Sequence, residues 1–202
     1  MIRKNPVGTA FAVLTTAVVL AGCGGGDQSG NHHLSSAPNT TGAVAPAGEH
    51  NDADIAFAQG MIPHHEGAIE MARTARGRTG NQAVLDLASR VEEAQDPEIE
   101  TMTGWLTAWG AEVAPGGGHA GHGSSMPGMG EEEVAALEAA RDADFDRLFL
   151  ETMIEHHRGA IDMAGVELRS GGNAGAKTLA QKIIDDQRAE IAEMREMLRA
   201  MG

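Results

Sequence analysis

The chain has 202 residues, with 15 basic against 29 acidic side chains, a formal charge of −14, one cysteine and no tyrosine. Such a surface repels nucleic acid and anionic lipid headgroups while gathering cations. A single cysteine cannot close an intrachain disulfide, so the fold must stand on its core.

At the N-terminus, Arg3 and Lys4 precede an apolar run from Val7 to Leu20 that is short for a bilayer span. The run ends Leu20-Ala21-Gly22-Cys23 and resembles a bacterial lipoprotein signal, in which cleavage leaves Cys23 as the lipid-modified first residue. The alternative is an ordinary secretory peptide with an incidental cysteine. Residues 1–22 are thus expected to be a signal peptide, leaving 180 residues with 13 basic and 29 acidic side chains, a formal charge of −16. A lipid on Cys23, rather than surface affinity, would hold the protein at a membrane of the bacterial cell envelope. Residues 23–50, rich in Gly, Ser, Asn, Pro and Ala, read as a flexible stalk.

Residues 51–202 are expected to form one all-α domain: a first repeat over 51–109, a linker over 110–130 and a second repeat over 131–202. The first helix starts near Asn51 or Asp52, either of which can cap it, and stops near Thr79-Gly80. A second runs from about Gln82 to Trp109, with Val84, Leu87, Val91, Gln95, Ile99, Met102, Leu106 and Trp109 along one seam. Glu131, Glu132 and Glu133 suit the N-terminus of a third, which Ser170-Gly171-Gly172-Asn173 closes. A fourth carries Leu179, Ile183, Gln187, Ile191, Met194 and Leu198 to the C-terminus. No segment alternates as a strand would. Two duplicated hairpins predict an antiparallel four-helix bundle. Pro63 and Pro97 fall inside helical patterns, and their repeat partners Glu155 and Ala189 lack the constraint, so the halves are not perfectly symmetric.

The duplication is explicit. FAQGMIPHHEGAIEMARTA (57–75) and FLETMIEHHRGAIDMAGVE (149–167) align at an offset of 92, which also pairs Gln95 with Gln187, Glu98 with Glu190 and Met102 with Met194. At about 100° per residue, Phe57, Met61, His64, Ala68, Met71 and Ala72 share one helical face. His65, Ile62 and Ile69 flank that face, while Pro63, Glu66, Gly67 and Glu70 take the other side. Met61 sits one turn before His64 and His65, and Met153 likewise before His156 and His157. Each repeat thus aims a Met-His-His triangle at the interior. Imidazole and thioether are neutral ligands, and soft thioether sulfur selects Cu(I) over Zn, Mg or Ca. The linker repeats the theme in His119, His122, Met126 and Met129, either a copper-capturing tract or a plain spacer. His32, His33 and His50 add weakly to it. Met71, Met163, Met102 and Met194 read on spacing alone as core filler. Gln95 and Gln187 are expected to hydrogen-bond across the core.

MIPHHEGAIEMA and MIEHHRGAIDMA, each followed by a Q-x-x-E-I-x-x-M segment (Gln95–Met102 and Gln187–Met194), resemble the family named domain of unknown function 305. The resemblance spans about 51–109 and 131–201. It implies a ferritin-like, exported four-helix bundle, with copper binding in some members. Carried onto this chain it points to Met61, His64, His65 and Met71 in the first half, and to Met153, His156, His157 and Met163 in the second. Met102 and Met194, with the linker residues, are auxiliary candidates.

The leading expectation is a lipid-anchored extracytoplasmic protein that buffers Cu(I), and Ag(I) with it, and exchanges metal with a partner protein. The alternatives are a metal-dependent oxidoreductase of the cuprous oxidase kind and a metal-free envelope interaction module. A ferritin-type di-iron oxidase is disfavoured. Its Glu-x-x-His pattern needs carboxylates where Met61, Ile62, Met153 and Ile154 stand.

Overall fold

The computed structural model describes residues 48–113 and 129–202. Cys23, the signal segment, nearly all of the stalk, and His119, His122 and Met126 lie outside these residues. Among the described residues there are five helices and no strand: α1 (Asp52–Thr74), α2 (Gln82–Trp109), α3 (Glu131–Ala139), α4 (Asp142–Ser170) and α5 (Ala174–Met201). None of these helices is long and apolar enough to cross a membrane.

Local chemistry sets the helix ends. Asn51 Oδ1 accepts from the N–H groups of Ala53 (2.8 Å) and Asp54 (3.3 Å), and Asp54 returns a carboxylate oxygen to Asn51 N–H at 2.6 Å. Asn81 caps α2 through Ala83 N–H, and Asn173, one repeat later, caps α5 through Ala176 N–H. Gly110 ends α2 at φ 68°, the left-handed conformation that glycine adopts without strain, and its N–H closes onto the carbonyls of Leu106 and Thr107. Pro63 and Pro97 both lie inside continuous helices, as expected.

One helix divides where the sequence suggested none. The segment expected to run unbroken from Glu131 to Ser170 breaks at Ala140-Arg141, and Asp142 takes a positive φ of 51°. The α1–α2 turn stabilises this break. Arg78 O accepts from Asp142 N–H at 2.7 Å, and Arg78 Nε donates to Glu138 O at 3.3 Å. Short α3 then buries Val134 and Leu137 against the bundle end.

Helices α1 and α4 pack on each other, α2 on α1, and α5 on α4. Two apolar clusters fill the interior. One joins Phe57, Met61 and Ile62 of α1 to Ala160 and Ala164 of α4, with Met102 and Leu106 of α2 and Ile183 of α5. The other joins Ala68 and Met71 of α1 to Phe149 and Met153 of α4, with Leu87 and Val91 of α2 and Ile191 and Met194 of α5. The N-terminal half of α1 thus lies beside the C-terminal half of α4, and the two run antiparallel.

Between the clusters every long helix changes character at the same level. There α1 contributes His64 and His65, α2 Gln95 and Glu98, α4 His156 and His157, and α5 Gln187 and Glu190. Eight polar residues, all paired at the offset of 92, form a belt through the middle of the bundle, between its two apolar clusters. Such a belt costs stability unless its groups are partnered.

A candidate metal centre at the polar belt

The repeats meet at the first histidine of each pair. The rings of His64 and His156 lie 3.8 Å apart between centroids, tilted by 45°. Gly159 makes this approach possible: a Cβ there would stand 2.9 Å from His64 Nε2. The glycine of the second HHxGA segment therefore accommodates the histidine of the first. Burial drives the His64 pKa down to about 3, and the neighbouring His156, His65 and His157 push it the same way. His64 is accordingly a neutral imidazole at neutral pH.

The second histidine of each pair turns toward its own hairpin partner. His65 Nε2 lies 2.8 Å from Glu98 Oε2, and His157 Nε2 lies 2.6 Å from Glu190 Oε2. Both rings are fully buried. Glu98 is also held by Lys182 Nζ, 2.9 Å from its other carboxylate oxygen. By offset, the counterpart of Lys182 is Arg90, which reaches instead to Glu193 at 2.6 Å. The two halves share a geometry but differ in charge around it.

Several buried polar atoms of the belt are left over. The Nδ1 atoms of His64, His65 and His157 and the Oε1 atoms of Gln95 and Gln187 are buried without a hydrogen-bond partner. Gln95 and Gln187, expected to hydrogen-bond across the core, thus accept no such bond at their carbonyl oxygens. Orphaned buried polar atoms of this kind are rare, and a lone pair on such an atom is what a cation would use.

The methionines sort across the repeats into the two clusters on either side of the belt. Met61 and Met102 of the first repeat share a cluster with Met163 of the second. Met153 and Met194 of the second share the other with Met71 of the first. All are fully buried except Met163, which is partly exposed. A Cβ on Gly60 would stand 3.6 Å from the Met163 sulfur. Met129 packs at the edge of the Met71 cluster. Gly67, assigned to the solvated side by the helical wheel, is buried.

Among the described residues, no three His, Cys, Asp or Glu side chains stand ready-made as a metal cluster. The donor types at this level are mixed, since the imidazoles of the belt lie between two clusters that hold the thioethers. These residues suit a soft cation better than a hard one, because neither carboxylate of the belt is free. Both are engaged by histidine.

A second relationship between the halves had no place in the sequence reading. Asp54, at the start of α1, accepts from the N–H groups of Gly172 (3.0 Å) and Asn173 (2.8 Å) in the α4–α5 turn. One repeat later, Asp146 accepts from Asn81 Nδ2 in the α1–α2 turn at 2.8 Å. Each half latches the other's hairpin. Burial alone would raise the Asp54 pKa, but the N–H groups of Asn173, Asn51 and Gly172 hold it below the usual carboxylate range. Beside it, buried Glu167 is pushed up to about 7 by desolvation and by Asp54, with Lys177 opposing.

The family model for the domain of unknown function DUF305 matches residues 54–198. A DUF305 protein of Streptomyces coelicolor, described as a presumptive secreted protein, is 31% identical with a TM-score of 0.66, the match covering 74% of this chain and 92% of that one. CopM in its Cu(II)-bound form is 30% identical with a TM-score of 0.62, covering 74% of this chain and 97% of that one. CopM has also been solved bound to Cu(I) and to Ag. A DUF305 fragment from Deinococcus radiodurans is 29% identical with a TM-score of 0.64, covering 76% of this chain and 99% of that one. No curated protein matches the chain. With a family model spanning most of its length and solved relatives sharing its helical fold, this chain belongs to the DUF305 family.

Proposed function

We propose that this protein binds copper outside the cytoplasm, holding Cu(I), and Ag(I) with it, at the polar belt and so buffering the metal. The carrying observation is the set of three buried imidazole Nδ1 atoms with no hydrogen-bond partner, set between two methionine-bearing clusters. Buried polar atoms left without a partner cost a bundle stability, whereas a soft cation could use their lone pairs without displacing any hydrogen bond. The copper- and silver-bound states of CopM support the same reading by similarity. His64, His65, His156 and His157 would supply nitrogen, and Met61, Met71, Met153 and Met163 would supply sulfur. Met102 and Met194 lie in the same clusters as auxiliary donors. Since the imidazoles come from both repeats, the site would be shared rather than duplicated.

Localisation follows from Cys23, which we assign as the lipid-bearing residue of a lipoprotein signal. Cys23→Ala should release the protein from the membrane fraction, and an unchanged distribution would remove the anchor.

The test is a Cu(I) competition titration of the protein lacking its first 23 residues, against a chromophoric chelator. Binding tighter than about micromolar is expected, which corresponds to about −8 kcal/mol. It should be lost when all four histidines are changed to Ala in a variant whose helical circular dichroism is retained. Absence of Cu(I) binding in the wild type, or binding indifferent to the four histidines, would contradict the reading.

A further inference from the structure

We propose that Glu98 and Glu190 are positioning residues that lock His65 and His157 as Nε2–H tautomers and so offer Nδ1 as the metal-ligating atom. The role rests on the copper-binding reading and names which nitrogen serves it.

An ionised carboxylate can only accept, so at 2.8 Å and 2.6 Å the shared hydrogen sits on the imidazole Nε2. In a neutral ring the other nitrogen then carries the lone pair. That nitrogen, Nδ1, is buried without a partner in both residues. A second acceptor or donor at Nδ1 would have given the tautomer a purely structural purpose, and the structure provides none. Carboxylates behind metal-binding histidines commonly set ring orientation and raise donor strength in this way.

Sequence and geometry fit a built arrangement. Both Glu residues lie 33 positions after their histidines, on the outer helix of the same hairpin. Lys182 Nζ holds Glu98 from the far side at 2.9 Å and also pairs with Asp186 at 2.6 Å. A carboxylate clamped between an ammonium and an imidazole has little freedom to leave the ring.

The experiment reads tautomers before any metal is added. In copper-free protein at about pH 8, above the ordinary histidine range, nitrogen-15 NMR should report His65 and His157 as Nε2–H. Glu98→Gln should release the tautomer of His65 alone, and Glu190→Gln that of His157 alone, because a Gln amide can either donate or accept. Each variant should lose roughly 10- to 100-fold in Cu(I) affinity. A Nδ1–H tautomer in either wild-type ring overturns the proposal. So does wild-type Cu(I) affinity in both Gln variants, even with a lowered melting temperature, and in that case copper binding itself survives. The expected tautomers in a wild-type protein that binds no Cu(I) would instead remove the copper reading and this role together.

Discussion

The imidazole of His64 lies against the backbone of Gly159, so close that a Cβ at that position would stand 2.9 Å from Nε2. His156 confines the same ring from another side, at 3.8 Å between centroids. Gly159→Ala should therefore displace His64 rather than merely crowd it. Overpacking of this kind costs about 1–3 kcal/mol. Thermal unfolding should show that loss, and Cu(I) titration should show weakened binding in the same variant. A variant with wild-type stability and affinity would mean that the two imidazoles need not approach.

The flanking thioethers allow packing to be separated from ligation. Met61→Leu and Met153→Leu conserve volume at fully buried positions and should each cost less than about 1.5 kcal/mol. If sulfur ligates, the double variant should nevertheless lose Cu(I) affinity while its Cu(II) affinity, carried by imidazole, changes less. Equal losses for both oxidation states would return these residues to the role of core filler.

The latches differ in strength although they occupy equivalent places. Asp54 accepts from Asn51, Gly172 and Asn173 N–H groups, whereas Asp146 has the single bond from Asn81 and a second oxygen without a partner. Hydrogen bonds to charged groups contribute about 1.5–3 kcal/mol. Asp54→Ala should accordingly lower denaturant stability more than Asp146→Ala. The reverse order would contradict the assignment of Asp54 as the stronger latch.

Glu167 carries a distinct pH signature. Its folded-state pKa, near 7, lies above the ordinary value of 4.5, so the folded protein holds the proton more tightly than the unfolded chain. The associated stability is fully present below about pH 4.5 and falls as pH rises toward 7. It levels off above that. Asp54, with its lowered pKa, acts in the opposite sense and in a more acidic window. Glu167→Gln should flatten the decline between pH 4.5 and 7 in urea unfolding. A decline that persists in the Gln variant would place its source elsewhere.

Much of the bundle was legible because its signals are local. The seam of α2 and the cap at Asn51 follow from periodicity and hydrogen-bond chemistry and are observed, although α1 ends at Thr74 instead of near Thr79-Gly80. The break before Asp142 was not legible, since Ala140-Arg141 contains neither proline nor glycine. A carbonyl some sixty residues away, that of Arg78, holds Asp142 in place. The histidine pairs and their flanking methionines stood out by composition, but their sorting did not. Only the antiparallel crossing of α1 and α4 puts Met61 with Met163 and Met153 with Met71. Glu98 and Glu190 were visible as repeated carboxylates, yet their bond to His65 and His157 depends on how the outer helices rotate. Asp54 and Asp146, and Asn81 and Asn173, also recur at the offset of 92 and read individually as ordinary caps and first-turn acids. Their pairing across the halves is tertiary information.

X-ray absorption at the copper edge, on Cu(I)-loaded protein, tests the central claim most directly. Shared coordination by the belt predicts a first shell containing both nitrogen and sulfur, at about 2.0 and 2.3 Å by analogy with zinc. The sulfur component should fade in the Met61→Leu, Met153→Leu double variant. A shell of light atoms alone, unchanged in that variant, would contradict a soft-metal centre built from both repeats.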